Sequence, residues 1–257
     1  MDTSSFRRLT MKSLGGYGFL TTRQIAKLTG VGAQDELTLS VVEGRLRRMW
    51  GSGLVRRVDC CPLGTAWAAT TNGLRSDRID LPTVVEIGRA TSRHGHLTAE
   101  VGIDYAIDGF EVTTERELRH FENGRRAELA HGYINGRTAL LMPDGSTARR
   151  GESGTREWRE AWRVEFRPDL VVTSPTGIKT AVEVELSTKT KQRLLKKTVW
   201  YAQGGAQVDQ VTWHSDNKYT LAALERASDE MACPSGPLVH FEQMSEEGVA
   251  QALHGRS

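Results

Sequence analysis

The clearest pattern near the start of the chain is helical. Leu39, Val42, Leu46 and Met49 recur at three- and four-residue steps, while Thr38, Val41, Arg45 and Arg48 fall on a second stripe. This spacing predicts a helix over 37–51 with one packed side and one free side. Two shorter helices are expected before it. Residues 5–14 form the first, which Gly15-Gly16 should end because glycine favours the unwound chain and accepts positive φ. The second opens at Thr21-Thr22-Arg23-Gln24, where a threonine can cap free N–H groups and Gln24 can reach back. It runs to Leu28, ends at Gly30, and buries Ile25 and Leu28. After the third helix, Leu54-Val55-Arg56-Arg57-Val58 predicts a strand, Pro62-Leu63-Gly64 a turn and Ala66-Trp67-Ala68-Ala69-Thr70 the returning strand.

Three helices followed by a hairpin resemble the winged helix-turn-helix domains that bind DNA. The residues carrying the likeness are Phe19 to Ala26, Arg45-Leu46-Arg47-Arg48-Met49 and Gly53-Leu54-Val55-Arg56-Arg57. The resemblance implies that the third helix enters the major groove. Arg45 and Arg48, with Thr38 beside them, would then face the groove or phosphates, and Arg47, Arg56 and Arg57 flanking phosphates. A winged helix used for protein contacts is the alternative.

Around 76–82 the pattern lapses into a linker, so the domains are expected at 1–76 and 83–257. Residues 83–107 read as helical. Within them, His94 and His96 stand at i, i+2, a spacing that points side chains apart on a helix, and no third metal ligand is near. Thr113-Thr114-Glu115-Arg116-Glu117 marks another helix start. From 125 to 157 the chain is Gly-rich and poorly periodic, and Arg149, Arg150 and Arg156 read there as solvated charge.

Strand patterning returns over 162–172 and 181–186, separated by Ser174-Pro175-Thr176-Gly177. If Gly177 is left-handed in a three-residue loop, Ser174 pairs with Ile178 and Asp169 falls opposite Glu183. Side chains alternate along strands, so Asp169, Glu183 and Glu185 share one face and Leu170, Val172, Val182 and Val184 the other. Opposed acids repel unless something positive neutralises them, and a divalent cation such as Mg²⁺ or Mn²⁺ does so with hard oxygen ligands. An ordinary hairpin whose polar face meets water fits the pattern equally well.

This hairpin resembles the PD-(D/E)xK nuclease superfamily, in which an Asp after Pro meets a later acid-x-Lys. Pro168-Asp169 and Glu183-Val184-Glu185 occupy the matching places, with Glu185 standing where that family has lysine. Lys189 and Lys191, opening a basic amphipathic helix over 189–201, are the expected substitutes. A nucleophilic role for Tyr201 is only a loose expectation. A strand over 208–214, a helix over 221–231 and a strand over 238–241 complete the order of that fold. Front Arg-x-Arg-Arg, central His96, and rear Arg-Pro-Asp with Glu-Val-Glu together resemble the replication-relaxation family of mobile elements. That likeness spans most of the chain. It implies α+β architecture: an N-terminal winged helix-turn-helix, then a restriction-endonuclease-like α/β domain related to mobilisation relaxases.

Composition narrows the setting. The 257 residues are 38% hydrophobic and 26% charged, as in globular proteins. No apolar run resembles a signal or a membrane span, and three cysteines, Cys60 and Cys61 adjacent, supply no disulfide framework or C-x-x-C zinc spacing. A cytoplasmic protein without membrane contact is expected. Residues 1–75 carry eleven Lys/Arg against five Asp/Glu, a basic front suited to a polyanion. Two functions follow as expectations. One is a DNA-binding protein of a mobile element that nicks DNA using Mg²⁺ or Mn²⁺ at Asp169, Glu183 and Glu185, with Lys189 or Lys191 assisting. The other is a non-catalytic regulator or accessory factor. Double-stranded DNA is the expected partner, with a homodimer or other mobilisation or replication proteins also open.

Overall fold

In the computed structural model the described residues are 1–30, 36–59, 64–123, 140–141, 147–148, 167–186, 197, 200–201, 208–229 and 238–244. The chain is of mixed α+β class and divides into two compact units, Met1–Val112 and Thr113–Met244. Among the described residues no helix is long and apolar enough to cross a membrane.

The first unit contains α1 (Thr3–Tyr17), α2 (Thr22–Leu28), α3 (Glu36–Gly51), β1 (Val55–Asp59), β2 (Thr65–Ala69), α4 (Thr71–Ser76) and α5 (Arg89–Ile107). Gly15 and Gly16 do not end α1; they lie buried inside it. A Cβ on Gly15 would stand 3.1 Å from Ile79 Cγ2 and 3.4 Å from Leu74 and Leu81, so this glycine serves close packing. The stop comes at Gly18, whose φ of 86° only glycine adopts cheaply and whose N–H donates to Leu14. Thr21 caps α2, and Gln24 completes the capping box. Val42 and Leu46 of the α3 stripe are fully buried, as the periodicity predicts, against Phe6, Met11, Leu14 and Ile25.

β1 and β2 pair antiparallel, with Arg57 opposite Trp67. Leu20 joins them through an isolated bridge in which Leu20 and Trp67 exchange both backbone hydrogen bonds, at 3.0 and 2.8 Å. The boundary expected between 76 and 83 is displaced. Residues 83–88 are not helical, and α5 starts after Gly88. Its Ala99 and Ile103 enter the first core, and its His96 carbonyl accepts from Gln24 Nε2 at 2.9 Å. A helix with these buried positions cannot be left to the second unit without exposing that core.

The second unit holds β3 (Glu111–Thr114), α6 (Glu115–Asn123), a short ladder of β4 (Leu140–Leu141) with β5 (Thr147–Ala148), β6 (Leu170–Thr173), β7 (Lys179–Val184), β8 (Gln210–Ser215), α7 (Lys218–Asp229) and β9 (Leu238–Gln243). Thr114 and Glu117 form the reciprocal cap expected at the start of α6. Five strands make one sheet in the order β3-β6-β7-β8-β9, antiparallel from β6 to β7 and parallel from β7 through β9. Ala181, Val211 and Trp213 share one face of it, where Tyr201 and Leu224 of α7 pack on them.

Candidate functional site

The β6–β7 hairpin has the register read from its loop. Leu170 pairs with Val182 and Thr173 with Lys179, Ser174 N–H donates to Ile178 O at 2.9 Å, and Gly177 has φ 88°. One further step sets Asp169 against Glu183. Asp169 is pinned from two sides. Its carbonyl accepts from Glu115 N–H at 2.9 Å, and its Oδ2 accepts from Val184 N–H at 2.8 Å.

The two glutamates of the acidic face do not meet water, while Asp169 is half-buried. Glu183 is 1% exposed and Glu185 4%, because the side of β7 that carries them also carries Ala181 and lies in the core. Glu183 survives there through two donors four residues apart in the sequence. Lys197 Nζ donates to Oε2 and Tyr201 O–H to Oε1. Residues four apart lie on one side of a helix, so the two arrive together. The ammonium also lies 5.6 Å from the centre of the Trp213 ring. Tyr201 is buried, with its ring edge-on to Trp200 and Trp213. Burial first, and then Glu183, hold its hydroxyl well above the usual phenol range. That removes the loose expectation of a nucleophile.

Burial pushes the Glu183 carboxyl up, Lys197 pulls it back and Asp169 pushes again, leaving it at about 7. For Lys197, burial draws the ammonium down, but Glu183, Asp169 and, more weakly, Glu185 outweigh it and its pKa is raised. It therefore stays charged across the range in which Glu183 titrates. A carboxyl raised above its ordinary 4.5 contributes stability that is complete below pH 4.5 and lost as pH rises through about 7. Wild-type stability should accordingly fall across this interval relative to Glu183→Gln, whose amide does not titrate. Urea unfolding of both proteins at pH 4.5, 6 and 8 measures it; parallel curves would refute the assignment.

Lys189 and Lys191 lie outside the described residues, as do Arg149, Arg150 and Arg156. The lysine that meets the acids is Lys197, which the sequence reading placed in the basic helix without a role. Glu185 is close enough to act on Lys197 electrostatically, and its N–H donates to His214 O at 2.8 Å. Among the described residues no three His, Cys, Asp or Glu side chains converge as a metal site. Asp169 and Glu183 nevertheless offer hard oxygens from two strands. A carboxylate has about four lone-pair sites, so the bonds from Tyr201 and Lys197 leave Glu183 acceptor capacity. Mg²⁺ commonly takes one or two carboxylates and completes its shell with water and phosphate oxygen. In chemical type the pair fits such an ion. His96 belongs to a different setting: it is buried, its Nδ1 has no hydrogen-bond partner among the described residues, and burial holds its pKa down despite Glu100.

The basic residues of the first unit divide by what already holds them. Arg45 donates to Met1 O at 3.3 and 3.4 Å and lies over the Phe6 ring, so it braces α1 against α3. Arg56 is held by the Val84 and Val85 carbonyls. Arg47 and Arg57 share Glu43 Oε1 at 2.9 and 3.2 Å, and Arg57 also stacks over Trp50 and Trp67. Arg48 is exposed on α3. Thr38 is in the first turn of α3, with its side chain outside the described set. Exposed Val41 and Trp50 complete the outward side of this helix. No family model matches the chain, and no curated protein or solved structure matches it.

Proposed function

We propose that the chain is a double-stranded-DNA-binding protein whose first unit is a winged helix-turn-helix and whose second is a PD-(D/E)xK-type module that nicks DNA with a divalent cation. The observation that carries this reading is the meeting of Asp169, Glu183 and Lys197. The lysine missing from the acid-x-Lys triplet is supplied in space from the next helix. The succession β6, β7, β8, with an antiparallel hairpin leading into a parallel strand, supports the same reading. Asp169 and Glu183 would hold Mg²⁺ or Mn²⁺, which when bound polarises a phosphoryl oxygen and lowers the pKa of a bound water. Lys197 places a fixed positive charge where negative charge develops on phosphate, in a site with little water to screen it. Burial of the hairpin keeps these groups in one geometry. In the first unit, α3 presents Arg48 to DNA while Glu43 holds Arg47 and Arg57 in place.

Supercoiled DNA containing the region around the chain's own gene, incubated with Mg²⁺ or Mn²⁺, tests the activity. Wild type should yield nicked circles and Asp169→Ala none, with both retaining DNA on a gel. Absence of metal-dependent nicking in wild type would refute the enzyme. For the interface, Arg48→Ala should weaken binding and reduce the slope of log affinity against log salt by about 1, the signature of one lost phosphate contact. An unchanged slope would remove Arg48 from the contact.

The non-catalytic regulator is favoured by one specific observation. Both Glu183 oxygens already accept from Tyr201 and Lys197, an arrangement that can stand as a structural ion pair without a metal. DNA retention without nicking, in wild type and Asp169→Ala alike, is its expected outcome.

A further inference from the structure

Glu183 needs more than a countercharge to act as a ligand: its carboxylate plane must be fixed. We infer that Tyr201 is a positioning residue, which anchors Glu183 Oε1 so that Oε2 meets Lys197 and the carboxylate is held beside Asp169 for a divalent cation. This inference rests on the cation-dependent reading above.

Four observations carry it. Tyr201 is 3% exposed, so its hydroxyl cannot reach a phosphate and acts only through Glu183. Trp200 at 4.9 Å and Trp213 at 6.4 Å between ring centres, both edge-on, fix the ring that carries the hydroxyl. Trp213 pairs with Glu183 across β7 and β8, so the same strand pairing sets both ends of the bond. Lys197, four residues earlier in the sequence, takes the other oxygen, and the two donors together determine the orientation of the group between them. A partner that orients a ligand from behind in this way typically changes metal affinity by about 10- to 100-fold when removed.

The test is Tyr201→Phe, which keeps the ring and removes only the hydroxyl. Mn²⁺ binding to the full-length protein without DNA, followed by the loss of the free-ion electron paramagnetic resonance signal, should weaken by about 10-fold or more. In nicking, the Mn²⁺ concentration for half-maximal rate should rise by a similar factor, while the rate at saturating Mn²⁺ stays within about threefold of wild type if the effect is confined to positioning. Thermal unfolding monitored alongside shows whether the variant remains folded, and Tyr201→Leu, which loses ring and hydroxyl together, shows what a packing defect does to the same readouts. Equal Mn²⁺ affinity in wild type and folded Tyr201→Phe, with Asp169→Ala binding none, would overturn the inference and leave the cation reading standing. Wild type that binds no Mn²⁺ overturns both. If Tyr201→Phe loses rate at saturating metal but not affinity, Tyr201 does not act by positioning the ligand and the inference falls.

Discussion

Replacing Lys197 with methionine is expected to lower the nicking rate by about 100- to 1,000-fold, the usual loss when one preorganised charge-stabilising donor is removed. DNA retention should be unchanged, because the residues proposed to bind DNA lie in the first unit. Methionine nearly matches the lysine stem, so packing against Trp213 persists and the change isolates the ammonium. Its effect on folding is equally specific. A buried carboxylate stripped of its partner ordinarily costs about 3–5 kcal/mol. Glu183, already raised to about 7 with Lys197 present, can escape that cost by taking up a proton. The variant should therefore be close to wild type in stability at pH 5 and clearly weaker at pH 8. Urea unfolding at the two pH values and a plasmid nicking time course check both halves. Nicking at the wild-type rate would remove Lys197 from the chemistry.

The largest effect on folding is expected from Gly73→Ala. A Cβ at Gly73 would overlap the Leu54 carbonyl oxygen and stand 2.7 Å from Met11 Cε. The methionine end can swing away; the carbonyl cannot. Leu54 O accepts from Thr70 N–H at 3.0 Å and from the Thr70 hydroxyl at 3.1 Å, and that hydroxyl in turn caps Gly73 N–H at 3.0 Å. The strain would thus break the junction joining the third helix, the hairpin and α4. A loss at or above the roughly 1–3 kcal/mol of ordinary overpacking follows, with a melting temperature lower by several degrees. Gly44→Ala is the control, since no described residue lies within 4 Å of its Cβ position in α3. There alanine should stabilise by about 0.5–1 kcal/mol. Thermal and urea unfolding of the pair should move in opposite directions; a neutral Gly73→Ala would show that the junction can yield.

What the sequence disclosed, and what it hid, follows the range of the interactions. The β6–β7 register was legible because Gly177, the loop length and the strand alternation act within twenty residues of one another. The α2 capping box was legible for the same reason, with both partners three residues apart. Burial of Glu183 and Glu185 was not. Alternation assigns Glu183 and Glu185 to one side of the hairpin but does not say what covers it, and the cover comes from a helix and from α7 further along the chain. Lys197 was hidden among several basic residues of one helix. Its signal was the four-residue step to Tyr201, which becomes informative only once Glu183 is known to lie beneath that side. Gly15-Gly16 was misread because a glycine pair marks either a stop or a close approach. The partly buried partners that decide between these, Ile79 and Leu81, are more than sixty residues away. Residues of α5 were assigned to the wrong side of the linker because the stripe of His96, Ala99 and Ile103 specifies a buried side without naming its partner.

The bridge between Leu20 and Trp67 makes the stretch ahead of α2 a third rung of the hairpin, and the Trp67 indole N–H adds a bond to Thr22 Oγ1 at 3.0 Å. The sheet and the start of that helix are therefore one mechanical piece. A ligand pressing on β2 would transmit its load directly to the helix pair, with no loop acting as a spring between them. Slow exchange of the Leu20 and Trp67 amide protons, in step with one another, is how such stiffness would be recognised in solution.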